Sequence, residues 1–392
     1  MEKHYFKWIL AALFSAGIVT VSAQGTGETN GYHLVWQDLF DGGTLDARNW
    51  NIEVNGDGGG NRELQYYRAE NVSVGIEPTS GKNCLVLTAR KESFAGKPAT
   101  SGRVHTQGKM YFQHGKIEAS IRMPRTANGL WPAFWMLGND LSTAGYPRCG
   151  EIDIVEMGER TGINAGTQDR YFSGACHWGE TVADGSHPNY GIPSASAYSL
   201  QDDFHLFTLI WDNNSVKMYL DMDKNPNVAP YYEMNIDYSA SHPADHPGNY
   251  LHKSFFVLFN LAVGGNFPQI WDINQITALH ASNNYEAKLY VDFVKIYQKK
   301  TTVENESITT GLAPVQKTAS QYHIYPNPAT TEIRISGPDI PSLITVFNYA
   351  GQQIKTFEKT AICNISDLSN GNYLITITNG KKSPESFRFI KK

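Results

Sequence analysis

Between Gly31 and Lys299 the chain alternates apolar and polar residues in short runs, separated by clusters of Gly, Asn, Asp and Pro. Examples are Cys84-Leu-Val-Leu-Thr-Ala, Lys116-Ile-Glu-Ala-Ser-Ile-Arg, Leu206-Phe-Thr-Leu-Ile-Trp and Val216-Lys-Met-Tyr-Leu-Asp. A period of two lays one face of a strand on a core, and little of this stretch has the 3.6-residue period of an amphipathic helix. Many short strands with frequent turn signals predict an all-β sandwich. The pattern lapses over residues 300–321, which read as a linker, and resumes from Tyr322 to Lys392 as a second small β unit. At the other end, Lys3, His4 and Lys7 precede an apolar run from Trp8 to Val21 and the small-residue pattern Val21-Ser22-Ala23. Residues 1–23 therefore read as a secretory signal, and residues 24–30 as a polar lead-in. The apolar run is too short for a membrane span, and no Cys near Ala23 offers a site for a lipid.

One run breaks the apolar pattern. Gly150-Glu151-Ile152-Asp153-Ile154-Val155-Glu156-Met157-Gly158 places three carboxylates among residues that otherwise ask for burial. Buried carboxylates are costly unless they work, so the run reads as the lining of a cleft rather than a solvated edge strand. In a regular strand Glu151 and Asp153 share a face and Glu156 points away. One extra residue, a β-bulge around Ile154–Val155, returns Glu156 to that face, and bulges are enriched beside active sites. Two glutamates about 5 Å apart suit glycoside hydrolysis with retention of configuration, one as nucleophile and the other as acid and then base. Asp153 between them can hydrogen-bond Glu151 and, by repulsion, help keep Glu156 protonated. Spacing alone does not assign the two glutamate roles.

These residues, preceded by Gly129-Leu130-Trp131-Pro132-Ala133-Phe134-Trp135-Met136-Leu137, resemble glycoside hydrolase family 16 in its laminarinase-like branch. Asn61-Arg62-Glu63-Leu64-Gln65-Tyr66-Tyr67, Thr100-Ser101-Gly102-Arg103, His114-Gly115-Lys116-Ile117-Glu118-Ala119, Asn260-Leu261-Ala262-Val263-Gly264-Gly265-Asn266 and Val291-Asp292-Phe293-Val294-Lys295-Ile296-Tyr297 carry it further, in family order across residues 31–299. The resemblance implies a jelly-roll β-sandwich with a concave substrate cleft. It assigns Glu151 as nucleophile, Asp153 as helper and Glu156 as acid/base. It also puts His177 near the cleaved bond and Asn61, Glu63 and Arg103 near the sugar, although each of the last three suits loop-holding equally well. Trp131 and Trp135, four apart, share a face if their segment is a strand; either stacks on a sugar or belongs to the core. Asp292 matches a structural calcium ligand, to be completed by carbonyls such as those of Leu39 and Gly81. No cofactor is implied for catalysis.

The C-terminal unit, through Tyr325-Pro326-Asn327-Pro328-Ala329 and Leu368-Ser369-Asn370-Gly371-Asn372-Tyr373, resembles the sorting domain of type IX secretion. That implies a small Ig-like β-sandwich at residues 322–392, the secretion machinery as a partner, and a secreted or cell-surface protein. A carbohydrate-binding sandwich is the competing reading, but this segment has no Trp. A net charge of −5 offers no basic surface for nucleic acid, and a neutral glucan needs no charged partner. The four cysteines form no C-x-x-C pair, so metal and redox motifs are unsupported. Export permits a Cys149–Cys176 disulfide, but free buried thiols are the expected state. The expected protein is a monomeric, retaining endo-β-1,3-glucanase. Mixed-linkage glucanase, transglycosylase and non-catalytic glucan-binding protein are its rivals, and the intact acid trio weighs against the last.

Overall fold

The computed structural model describes residues 31–180, 186–237, 243–299, 309–310, 322–348, 353–379 and 385–392. The expected signal, the lead-in and most of the expected linker lie outside the described residues. Two units separate at Ala313/Pro314.

The first unit is a sandwich of a ten-stranded and a nine-stranded sheet, as the period-two pattern predicts. Neighbouring strands are antiparallel except where Gln65–Tyr67 runs parallel to Ala99–Ser101. Seven strands of the nine-stranded sheet follow one another in space as Asn189–Ala195, Tyr171–His177, Glu151–Met157, Leu130–Gly138, Phe255–Val263, Arg103–His105 and Asn51–Ile52; Met110–Phe112, paired with Phe255–Val263, and Thr309–Thr310 complete it. Its central strand, Phe255–Val263, shows how sequence selects position. All nine residues are buried, because both faces are covered. Phe255, Val257, Phe259, Leu261 and Val263 enter the core between the sheets. On the opposite face Phe256 and Leu258 pack with Leu137 and Cys149. Inside, Phe134 and Phe259 stack at 4.7 Å and 11°, and each such ring contributes roughly 1.5–3 kcal/mol through burial.

The expected linker is not wholly detached. Thr309–Thr310 pairs with Met110 and Tyr111 as the ninth strand of the nine-stranded sheet. Paired β-branched residues beside an open strand edge suffice for this, although the polar run around them gives no period to read. The second unit has a three-stranded and a four-stranded sheet around a core that includes Ile333, Ile344, Val346, Ile375 and Phe389. It is the small all-β unit its sequence predicts.

Candidate active site

The bulge forms where the spacing requires it. On the neighbouring strand, Glu151, Asp153 and Glu156 sit opposite Leu137, Trp135 and Ala133, positions evenly two apart. On the other side, Glu151, Asp153 and Glu156 pair with His177, Ala175 and Ser173, with the register shift between Asp153 and Glu156. All three acids therefore share the outward face, while Ile152, Ile154, Val155 and Met157 enter the core. Gly158 closes the strand. Its φ is +98°, and a Cβ there would lie 1.9 Å from the Leu130 carbonyl oxygen, so only glycine fits this turn.

Two adjoining cavities, about 660 and 520 Å3, meet at the acids and share Asn61, Trp131, Tyr146 and His187. One arm runs toward Glu53, Glu63, Arg103 and Trp135. The other runs toward Ser173, Pro193, Asn266 and Phe267. The acids thus stand midway along a groove that continues in both directions.

Each acid has its own neighbours. The Trp131 indole N–H donates to Glu156 Oε1 at 2.9 Å, and the ring stacks on Phe267 at 4.7 Å and 15°. Trp135 Nε1–H donates to Asn260 Oδ1 at 2.6 Å. The Arg103 guanidinium lies 4.8 Å from the Trp135 ring and pairs with Glu53 at 2.8 Å. His177 Nε2 lies 3.5 Å from Asp153 Oδ2 and 3.9 Å from Glu151 Oε1, while its Nδ1 meets His187 Nε2 at 3.1 Å. Tyr146 OH closes the chain on His187 Nε2 at 3.0 Å. Burial, reinforced by His187, pushes the His177 imidazole down to about 4, so it is neutral near pH 7.

Burial raises all three carboxyls. Repulsion from Glu156 adds to this at Glu151 and, with Glu151, at Asp153. The Asp153–Glu151 hydrogen bond raises Asp153 and lowers Glu151, so of the two it favours the proton on Asp153, although burial still leaves Glu151 raised overall, to about 8. Arg103 also favours the Glu151 anion. At Glu156 the Trp131 hydrogen bond opposes burial, and the nearby Glu159 carboxylate favours the acid. The trio therefore shares protons near neutral pH, which supplies the protonated acid that such a pair needs.

All nine residues expected at the catalytic and sugar-binding positions come together. Trp131 has one ring face on Phe267 and its N–H on Glu156, so it positions an acid as well as walling the cleft. Glu63 is buried and accepts from Gln65 Nε2 at 2.5 Å and Tyr67 OH at 3.2 Å, yet still lines the groove. Asn61 lines both arms, its side-chain amide donating to the Gly59 carbonyl at 3.3 Å. Sequence reasoning missed Tyr146, His187 and Asn260 as cleft residues. Asn260 left a signal, being the one polar residue in Phe255–Val263. Tyr146 and His187 come from loops with no periodicity. The four cysteines are free and buried, as expected.

Asp292, expected as a calcium ligand, lies apart from the acids. It is on the Glu286–Lys299 strand of the ten-stranded sheet, where Lys82 Nζ meets its carboxylate at 2.5 Å and Ser120 Oγ lies at 3.3 Å. An ammonium already balances its charge, so a calcium ion at Asp292 would have to displace that contact. Among the described residues one acidic cluster, Glu151, Asp153 and His177, has ligand atoms within 4.8 Å of one another. It belongs to the acid group of the cleft already described.

Residues 65–249 match the profile of glycosyl hydrolases family 16, and residues 323–392 match a secretion system C-terminal sorting domain. A beta-glucanase of Rhodothermus marinus is 32% identical over 274 residues, covering 68% of this chain and 85% of that protein. A family 16 structure from a Bacteroides ovatus mixed-linkage glucan locus, in complex with a G4G4G3G product, is 38% identical with a TM-score of 0.57. It covers 67% of this chain and 99% of its own. The catalytic domain of an endo-1,3-beta-glucanase (laminarinase) from Thermotoga petrophila is 30% identical, covering 69% and 99%, with a TM-score of 0.54. The chain spans 35% and 38% of the length of two larger curated relatives that it also matches.

Proposed function

The chain belongs to glycosyl hydrolase family 16, and from that premise we propose that it is an exported, retaining endo-glycosidase that hydrolyses β-1,3-glucan. The bulge that puts Glu151, Asp153 and Glu156 on one face of one strand carries the reading. Glu151 attacks the anomeric carbon while Glu156 gives its proton to the departing glycosidic oxygen, leaving a glycosyl ester on Glu151. Glu156, now a carboxylate, takes a proton from the water that opens this ester, so two inversions give net retention. Asp153 lends its hydrogen bond to the Glu151 anion, and Trp131 fixes one oxygen of Glu156 so that the proton sits on the other. No cofactor enters. The groove's continuation on both sides of the acids supports cleavage within a chain rather than at its end. The sorting domain at residues 323–392 supports export, with the type IX machinery as its partner.

A second reading is cleavage of mixed-linkage β-1,3-1,4-glucan. The 38% identical structure with a mixed-linkage product favours it. Sugars released from laminarin, lichenan, agarose and xyloglucan separate the readings. Laminarin fastest, with oligosaccharides released before glucose and the β-anomer formed first, supports the first. Lichenan alone being cut overturns it in favour of the second, and no cleavage of any β-glucan overturns both.

A further inference from the structure

Outside the groove, Trp271 is 45% exposed, although an indole is among the costliest side chains to leave in water. The Arg62 guanidinium lies over its ring, 5.1 Å from the centroid. Among the described residues no carboxylate pairs with Arg62. A single exposed aromatic needs no explanation, but this pair is built on rigid supports. Arg62 holds a left-handed backbone at φ 58°, and Gln269, two residues before Trp271, does the same at φ 54°. Both are uncommon for residues with a Cβ, so neighbouring contacts must hold them. Those contacts are present. Asn266 N–H donates to the Asn61 carbonyl at 2.8 Å, joining the two loops, and Gly265 N–H donates to the Ile270 carbonyl at 2.8 Å. Gly264 N–H reaches the Gly129 carbonyl at 2.7 Å, and Arg160 N–H reaches the Phe267 carbonyl at 3.1 Å.

The same loop connects the pair to the cleft. Asn266 and Phe267 line one arm of the groove, and the Trp271 indole N–H points back to Asn266 Oδ1 at 3.4 Å. Even with Arg62 over its ring, Trp271 remains 45% exposed. A flat aromatic surface beside a multidonor guanidinium matches a pyranose, whose C–H face stacks on indole while its equatorial hydroxyls accept from N–H groups.

We propose that Trp271 and Arg62 form a sugar-binding platform outside the cleft, which receives a β-glucan chain as it leaves past Asn266 and Phe267. The proposal rests on the glucanase reading of the cleft. The platform touches no reacting atom. It holds long chains and is out of reach of short ones.

Trp271→Ala, Trp271→Phe and Arg62→Ala are to be compared with the wild type on two substrates. One is a long soluble β-glucan that the wild type cleaves, and the other a short chromogenic oligosaccharide of the same linkage. For Trp271→Ala we expect KM on the long glucan to rise about 5- to 10-fold with kcat unchanged, as for loss of one aromatic stack. The short substrate should be cleaved at the wild-type kcat/KM. Trp271→Phe should keep most of the long-chain advantage, and Arg62→Ala should lose part of it. Unchanged long-chain KM, or equal losses on both substrates, would overturn the platform while leaving the cleft reading intact. A wild-type protein that cleaves no β-glucan would overturn the cleft reading and the platform with it.

Discussion

Trp131→Phe removes one hydrogen bond from Glu156 and keeps an aromatic ring against Phe267. In the wild type the indole N–H donates to Glu156 Oε1 at 2.9 Å, an interaction that favours the carboxylate over the acid. A hydrogen bond to an ionised group is worth about 1.5–3 kcal/mol, and part of it survives when the acceptor is protonated. A differential loss of about 1.4 kcal/mol corresponds to a rise of about one pKa unit. The sign follows from the role of Glu156: it must be protonated to start the reaction, so its pKa sets the alkaline limb of kcat/KM. That limb should move up by about one unit in the variant. The assay is kcat/KM against pH on a natural glucan and on an aryl glycoside with a good leaving group. The shift belongs to the first, since the second needs little proton donation. An alkaline limb that stays in place or moves down would refute the assignment of Trp131 to the acid, as would an equal shift on both substrates.

Two stability predictions follow from pairs away from the cleft. Burial opposes the Asp221 anion, but the His205, Leu206 and Tyr198 hydrogen bonds bring its carboxyl down to about 2. Because the folded pKa lies below the unfolded value near 3.9, this stabilisation of about 2 kcal/mol is present above pH 4 and is lost as pH falls through 2. Asp221→Asn should therefore lower stability in denaturant titrations at pH 7 and make little difference at pH 2; an equal loss at both would contradict the linkage. A calcium ion at Asp292 has to displace Lys82, so any drop in Tm caused by chelator should be larger in Lys82→Ala, and an equal drop in both proteins would place the ion elsewhere.

The sequence carried the parts of this account that depend on local periodicity. Two glutamates an odd number of residues apart on an apolar strand need a bulge to share a face, so the spacing from Glu151 to Glu156 made Ile154–Val155 the place for it. Trp131 and Trp135 could be placed on one face for the same reason, but not on their partners. That Trp131 serves Glu156 depends on the pairing of two strands, and that Trp135 meets Asn260 depends on a third strand 125 residues away. Tyr146 and His187 converge from loops whose residues have no period. The Lys82–Asp292 pair spans 210 positions, so the ammonium beside the aspartate expected to hold calcium left no local signal. Thr309–Thr310 was read with the linker because a two-residue strand leaves no pattern.

The division of labour between Glu151 and Glu156 is the central claim, and azide rescue tests it most directly. Glu151→Ala should abolish hydrolysis while glucan binding persists. Azide entering the vacated space should restore partial turnover and give a glycosyl azide of inverted configuration. Glu156→Ala should spare substrates with good leaving groups, and azide should then open the ester on Glu151 to give a product of retained configuration. The opposite pair of anomers would exchange the two roles. Full activity in both variants would contradict the account.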